Sequence, residues 1–263
     1  MLLFLVMFAV ALVFSSIGFK KYVWFISIGY GFSIAAIGAG LLIAGHDRLT
    51  AGPTCACILL IAYGLRLGGY LAFRELRTSY NSRMEGEIKS GDGMSMVAKI
   101  SIWVTAALLY TCQSSPIIFR FVNNSGTDAL LVVGLTISIV GLVIETAADL
   151  QKNAAKKKRP DRFVDTGLFR IVRCPNYFGE MLFWTGMFIG GISIYAGPVQ
   201  WAVALLGYLG IIYVMFSGAR RLEIRQNASY GDNPEYQRYV KTTPIMIPFV
   251  PLYSVEKHTW LVA

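Results

Sequence analysis

The chain has 263 residues, of which 55% are hydrophobic and only 15% charged, with a mean hydropathy of +0.55 and a net charge of +9. Soluble domains carry about 25% charged residues, so the composition excludes a soluble protein and points to an all-α fold integral to a membrane. The positive charge does not indicate a nucleic-acid partner, because it collects in the segments between apolar runs.

A helical span needs roughly 20 apolar residues. Seven stretches qualify, near 2–19, 22–45, 54–73, 98–119, 128–150, 176–196 and 198–218. The first, Leu2 to Phe19, lacks a basic segment before its apolar run, so it is expected to span the membrane rather than serve as a secretory leader. Seven spans place Lys20, Lys21, Arg74, the basic 5–6 loop and the basic tail on one side, and leave only Arg48 and Arg120 on the other. The positive-inside rule then puts the N-terminus outside and the C-terminus in the cytoplasm.

In chain order, the glycines Gly38 and Gly40 of the second run form no dinucleotide fingerprint, since no strand precedes them; they are expected to let helices pack closely. In the third run Tyr63 and Arg66 are three apart and share a face. A charge at the centre of a span costs about 2.5–3.5 kcal/mol on insertion scales, so such residues usually face a cavity. For Arg66 the plain alternative is a structural ion pair with Glu145 or Glu180. The 3–4 loop, Arg74 to Val97, is long and polar, with Gly86, Gly91 and Gly93, and is expected to move. Cys55, Cys57, Cys112 and Cys174 read as apolar filler. With His46 and His258 the only histidines, no metal site is expected.

Glu145 and Asp149 lie one turn apart near the end of the fifth run. A basic loop with Lys156 and Arg162 follows, then Arg170 and Arg173. Pro175 suits the first position of the sixth helix, and Asn176 and Glu180 share its first face. A helix N-terminus with arginines before it suits a phosphate; an ordinary basic loop explains the arginines but not a carboxylate inside an apolar helix. Beyond Gly218, Arg220 to Asn227 is expected to extend the seventh helix into the cytosol. Tyr230 to Tyr236 reads as a turn followed by a short helix, and Thr243 to Phe249 as a closing apolar segment. Arg221, Glu223, Arg225 and Tyr236 form a second polar cluster suited to clamping an adenine.

Asp149-x-Gln151-Lys152, Gly167-Leu168-Phe169 and Asn176-Tyr177-Phe178-Gly179-Glu180 resemble the steroid 5-alpha-reductase family, in its bacterial branch, and its sterol reductase relatives. Arg221-x-Glu223, Tyr230-Gly231 and the Pro244-to-Pro248 close resemble the C-terminal segment of that family. The resemblance covers Val143 to Phe249 well. It implies NADPH in a cavity open to the cytosol and hydride delivery to an enone double bond. It further implies that Asp149, Arg162, Asn176 and Glu180 contact the cofactor, with Lys156, Arg170 and Arg173 in the adjoining loop and Arg221, Glu223, Arg225 and Tyr236 closing over it. The Tyr63-x-x-Arg66 spacing is similar to that around the family's proton-donating tyrosine, making Tyr63 the acid and Arg66 its neighbour near the cofactor. The steroid enzymes carry a Gln-Glu pair on the second helix; this chain has Ile26, Ser27 and Ile28 there, and Glu145 is the candidate substitute.

The chain is therefore expected to be one membrane domain, with helices 1–4 (residues 1–127) on the substrate side and residues 128–263 on the cofactor side. The substrate is expected to be a steroid-like enone arriving from the lipid, with no obligate protein partner. A bacterial chain would sit in the inner membrane. Two rivals stay open. One is an S-adenosylmethionine-dependent isoprenylcysteine or phospholipid methyltransferase, whose R-H-P-x-Y-x-G segment is similar to Arg173-Cys174-Pro175-Asn176-Tyr177. The other is a non-enzymatic seven-helix membrane protein.

Overall fold

The structure is a computed structural model that describes residues 1–75 and 93–262. The expectation of a mobile 3–4 loop falls largely on residues 76–92, outside the described residues. Every element among the described residues is helical. In chain order the helices are α1 (Leu2–Ser15), α2 (Ile28–Ala44), α3 (Ala51–Glu75), α4 (Met96–Val122), α5 (Ala129–Lys158), α6 (Pro175–Ile189), α7 (Pro198–Tyr230) and α8 (Pro234–Thr242). Prolines open α6, α7 and α8, where the missing N–H is harmless. Side chains cap α4, α5 and α8: Ser95 Oγ accepts from the Ala98 N–H at 3.2 Å, Asp128 Oδ1 from Leu131 at 2.8 Å, and Asn233 Oδ1 from Glu235 at 2.9 Å.

Among the described residues six segments are long and apolar enough to cross a membrane: Leu2–Phe19, Tyr22–Ala44, Ala51–Glu75, Met96–Val122, Ala129–Lys158 and Pro198–Tyr230. The chain is thus an integral membrane protein. The sixth run differs from expectation. At 15 residues, α6 is about 22 Å long at 1.5 Å per residue, short of a hydrocarbon core of roughly 30 Å. Gly190-Gly191 ends it, two poor helix formers in succession, and a 3-10 turn follows at Ile192–Ile194. The second run is also broken: Tyr22–Ile26 is a 3-10 turn, and α2 begins only after Ser27, whose φ of −125° and ψ of −90° are not helical. As expected, α7 runs past Gly218 to Tyr230 and a short helix follows at α8.

The chain forms two compact units, Met1–Leu135 with Met187–Tyr208, and Thr136–Gly186 with Leu209–Ala263. In the first, α2 and α3 meet backbone to backbone. A Cβ on Gly31 would lie 2.4 Å from the Gly68 nitrogen, and one on Gly64 2.4 Å from the Gly31 oxygen. Elsewhere in that unit Arg120 is fully buried. It donates to the Gly190 carbonyl through Nε (2.8 Å) and Nη2 (2.6 Å), to the Gly126 carbonyl (2.6 Å) and to Asp128 (2.8 Å), joining the loops after α4 and α6. Burial alone would raise the Asp128 pKa. The bonds from the Leu131 N–H, Arg120 and Ser193 outweigh it and hold the carboxyl below its usual range.

Candidate functional site

In the second unit two glycines decide how α5 and α6 meet. A Cβ on Gly141 would fall 2.5 Å from the Gly179 oxygen and the Phe183 nitrogen; one on Gly179 would fall 2.6 Å from the Glu145 nitrogen and 2.9 Å from its Cβ. Ser138 Oγ donates to the Phe183 carbonyl at 2.8 Å and extends the contact. The crossing sets Glu145 against Gly179, the residue before Glu180. Glu145, Asp149 and Glu180 are 3%, 9% and 6% exposed, so this helix pair withdraws three carboxylates from solvent. Asn176 is half-buried one turn before Glu180.

The loop between these helices is tied to α5 by a side chain. Gln151 Oε1 accepts the Leu168 N–H at 2.8 Å. Gly167 has φ +61°, and a Cβ there would lie 2.3 Å from the same oxygen. Only glycine satisfies both the backbone and the space. This contact gives the Asp149-x-Gln151 and Gly167-Leu168-Phe169 motifs a shared physical cause.

The tail is bolted onto the segment that leads into α6. The Arg173 N–H donates to the Pro244 carbonyl at 2.8 Å and the Cys174 N–H to Ile245 at 2.9 Å. Arg173 Nη2 donates to Glu223 Oε1 at 2.8 Å and also to the Tyr253 carbonyl, while Glu223 Oε2 accepts the Val255 N–H at 2.8 Å. Both members of the Arg173–Glu223 pair are almost fully buried. Tyr236 is buried and donates to Asn227 Oδ1 at 2.7 Å. Burial pushes its phenol up to about 12, with Arg173 opposing, so it stays a neutral donor.

Lys156 and Arg162 hold the basic loop. Lys156 Nζ donates to the Arg162 carbonyl (2.7 Å) and the Tyr230 hydroxyl (2.9 Å), and Arg162 pairs with Asp165 (2.9 Å) and Glu235 (2.5 Å). Phe163 sits among the rings of Tyr230, Tyr236 and Tyr239, at 5.2–5.9 Å. No sequence signal picked out Phe163 as the centre of that cage.

Electrostatically, Cys174 feels Arg173, Lys152 and Glu223, and Tyr177 feels Arg221, Glu180 and Arg225. Burial pushes the Cys174 thiol up to about 12, which makes it a poor nucleophile. Arg170 is exposed, as are Arg221 and Arg225. Cations for phosphate, carboxylates and an amide for hydroxyls and a carboxamide: the donor set of this unit fits a phosphorylated dinucleotide.

The first unit holds Tyr63 and Arg66. Tyr63 is fully buried, and its hydroxyl lies 3.0 Å from that of Tyr30 on α2. Arg66 is half-buried with its guanidinium 5.9 Å from the Tyr70 ring centre. Tyr30 went unnoticed in the sequence; its signal is the Tyr-Gly dipeptide that it shares with Tyr63.

Residues 7–243 match a family model described as "Protein of unknown function (DUF1295)". Over 122 residues the chain is 28% identical to the steroid 5-alpha-reductase DET2 of Arabidopsis thaliana, covering 45% of this chain and 41% of that protein. It is 28% identical over 120 residues to DET2 of Gossypium hirsutum, covering 44% and 41%. With the 3-oxo-5-alpha-steroid 4-dehydrogenase 1 of Rattus norvegicus it shares 25% identity over 126 residues, covering 47% and 43%. The matched segments span about two fifths of each relative's length. No solved structure matches the chain.

Proposed function

Because the chain belongs to the DUF1295 family and resembles the steroid 5-alpha-reductases, we propose that it is a membrane oxidoreductase. It reduces the carbon–carbon double bond of a lipophilic enone with NADPH, the substrate class being a 3-oxo-4-ene steroid reduced to the 5-alpha product. The observation that carries this is the three withdrawn carboxylates of α5 and α6 in a chain similar to steroid reductases. A carboxylate inside an apolar helix has no use as bulk packing; it suits ligand hydroxyls and amides.

Asp149, Asn176 and Glu180 bind the ribose and carboxamide groups, and Arg170, Arg221 and Arg225 meet the phosphates. Arg173, Glu223, Tyr236, Lys156 and Arg162 frame the site through the bonds they make to the tail and loop. Bound NADPH supplies the hydride. Tyr63 hydrogen-bonds the carbonyl oxygen and gives it a proton as charge builds there, with Arg66 one turn along. The substrate enters from the bilayer. Seven crossings put the N-terminus outside, the C-terminus in the cytoplasm and the cofactor site on the cytoplasmic face, of the inner membrane in a bacterium. Pro175 to Ile194 supplies the seventh crossing, about the length a span takes.

The test is NADPH oxidation by the purified protein in nanodiscs with a panel of 3-oxo-4-ene steroids and other lipophilic enones. Turnover with at least one is expected. No turnover together with no NADPH binding would refute the proposal, and thermal stabilisation by S-adenosylmethionine rather than NADPH would replace it with methyl transfer.

A further inference from the structure

The expected partner of Tyr63, a carboxylate on the second helix, is missing from this chain. The structure offers a different partner. Tyr30 and Tyr63 hydroxyls are 3.0 Å apart, within one hydrogen bond, and both side chains are withdrawn from solvent. The encounter is built into the helices. Gly31 follows Tyr30 and Gly64 follows Tyr63, and these glycines sit where α2 and α3 touch, each leaving no room for a Cβ. A wider helix separation would pull the two hydroxyls apart. The Tyr30 ring is held in turn by the Tyr110 ring, 4.9 Å away, whose hydroxyl donates to the Phe25 carbonyl at 2.7 Å. Three tyrosines from α2, α3 and α4 thus fix one another inside the first unit.

We propose that Tyr30 is a positioning residue for reduction, setting the direction and acidity of the Tyr63 hydroxyl in place of a carboxylate. The inference rests on the enone-reductase function proposed above. In that reaction the carbon β to the carbonyl receives hydride from a reduced nicotinamide, and the electron pair moves onto the carbonyl oxygen. The Tyr63 O–H gives that oxygen its proton. The Tyr30 O–H donates to the Tyr63 oxygen and spreads the charge left there. The α-carbon then takes a proton from water, and the enol proton returns to Tyr63. The sum is one hydride and one solvent proton added across the double bond. A neutral phenol in place of a carboxylate avoids burying a second charge in the span.

The experiment uses the full chain in nanodiscs. Tyr30→Phe removes one oxygen and keeps the ring against Tyr110. It should lower kcat by about tenfold, the worth of one hydrogen bond, with KM changed less than twofold. In the background of Tyr63→Phe the same change should have no further effect. A non-kinetic readout needs no cofactor: with 3-fluorotyrosine at position 63, deleting the Tyr30 hydroxyl should move the 19F resonance. Should Tyr30→Phe not fold, 3-fluorotyrosine at position 30 acidifies that phenol in place and should change kcat at constant KM. An active wild type whose kcat is unaffected by either change at position 30, or an unmoved 19F resonance, overturns the role of Tyr30. A wild type that turns over no enone overturns the reductase function itself.

Discussion

Removing the Glu223 carboxylate should loosen the tail more than any change at an exposed charge. Glu223→Ala deletes the acceptor of two bonds, those from Arg173 at 2.8 Å and from the Val255 N–H at 2.8 Å. It also leaves the Arg173 guanidinium buried, with the Tyr253 carbonyl as its remaining acceptor among the bonds described above. Breaking a buried pair from one side costs about 3–5 kcal/mol, whereas replacing both partners by apolar groups is often neutral. For a chain of this size about 2–4 °C accompanies each kcal/mol, so the thermal midpoint should fall by roughly 6–20 °C. Arg173→Met combined with Glu223→Leu should recover most of that. Thermal unfolding in detergent, with NADPH affinity measured on each variant, gives the full cycle. If the double variant regains stability and NADPH binding, the pair frames the site; if it regains stability alone, one of the two touches the cofactor. Single variants within about 0.5 kcal/mol of wild type would refute the energetic reasoning.

Glu180→Ala should abolish NADPH binding while size-exclusion and thermal profiles stay near wild type; a protein that no longer folds would show Glu180 to be structural. Gly167→Ala should cost about 1–3 kcal/mol, since its backbone lies at φ +61° and its Cβ would meet Gln151, and a thermal midpoint at the wild-type value would contradict it. Asp128 has a depressed pKa in the folded state. Its contribution is therefore present above the unfolded value of about 3.9 and lost as pH falls through the folded value. Asp128→Asn should flatten the acid limb of stability below about pH 4, and an unchanged acid limb would count against that assignment.

The class of fold was legible because apolar runs of membrane length need no tertiary information. The ends of those runs were not. Charged and polar residues continued α5 to Lys158, since helix propensity does not distinguish a buried turn from one standing in water; the extension of α7 past Gly218, marked by Arg220 to Asn227, was the exception. The break at Gly190-Gly191 shortened α6, where hydropathy alone saw a continuous span. At the site, Glu145, Asp149 and Glu180 announced themselves as charges in apolar sequence. The framing bonds of Arg173, Glu223 and Lys156 did not, because a basic residue destined for a buried pair is written with the same letter as one destined for a phosphate.

Tyr30 was hidden for a more specific reason. In the second run the place of the missing carboxylate falls at Ile26 to Ile28, and a face counted along one continuous helix would start there. The chain does not continue one helix through that stretch. Residues Tyr22–Ile26 form a 3-10 turn, Ser27 leaves helical geometry, and α2 starts afresh at Ile28. Faces counted at 3.6 residues per turn from Ile26 therefore do not carry over to α2. What does carry over is the glycine contact. Gly31 and Gly64 must face each other for α2 and α3 to approach so closely, and the residue before each then lies beside the crossing. In this chain both of those residues are tyrosine. A pair of Tyr-Gly dipeptides on successive spans thus constrains two side chains as firmly as a motif, without any charge to mark it.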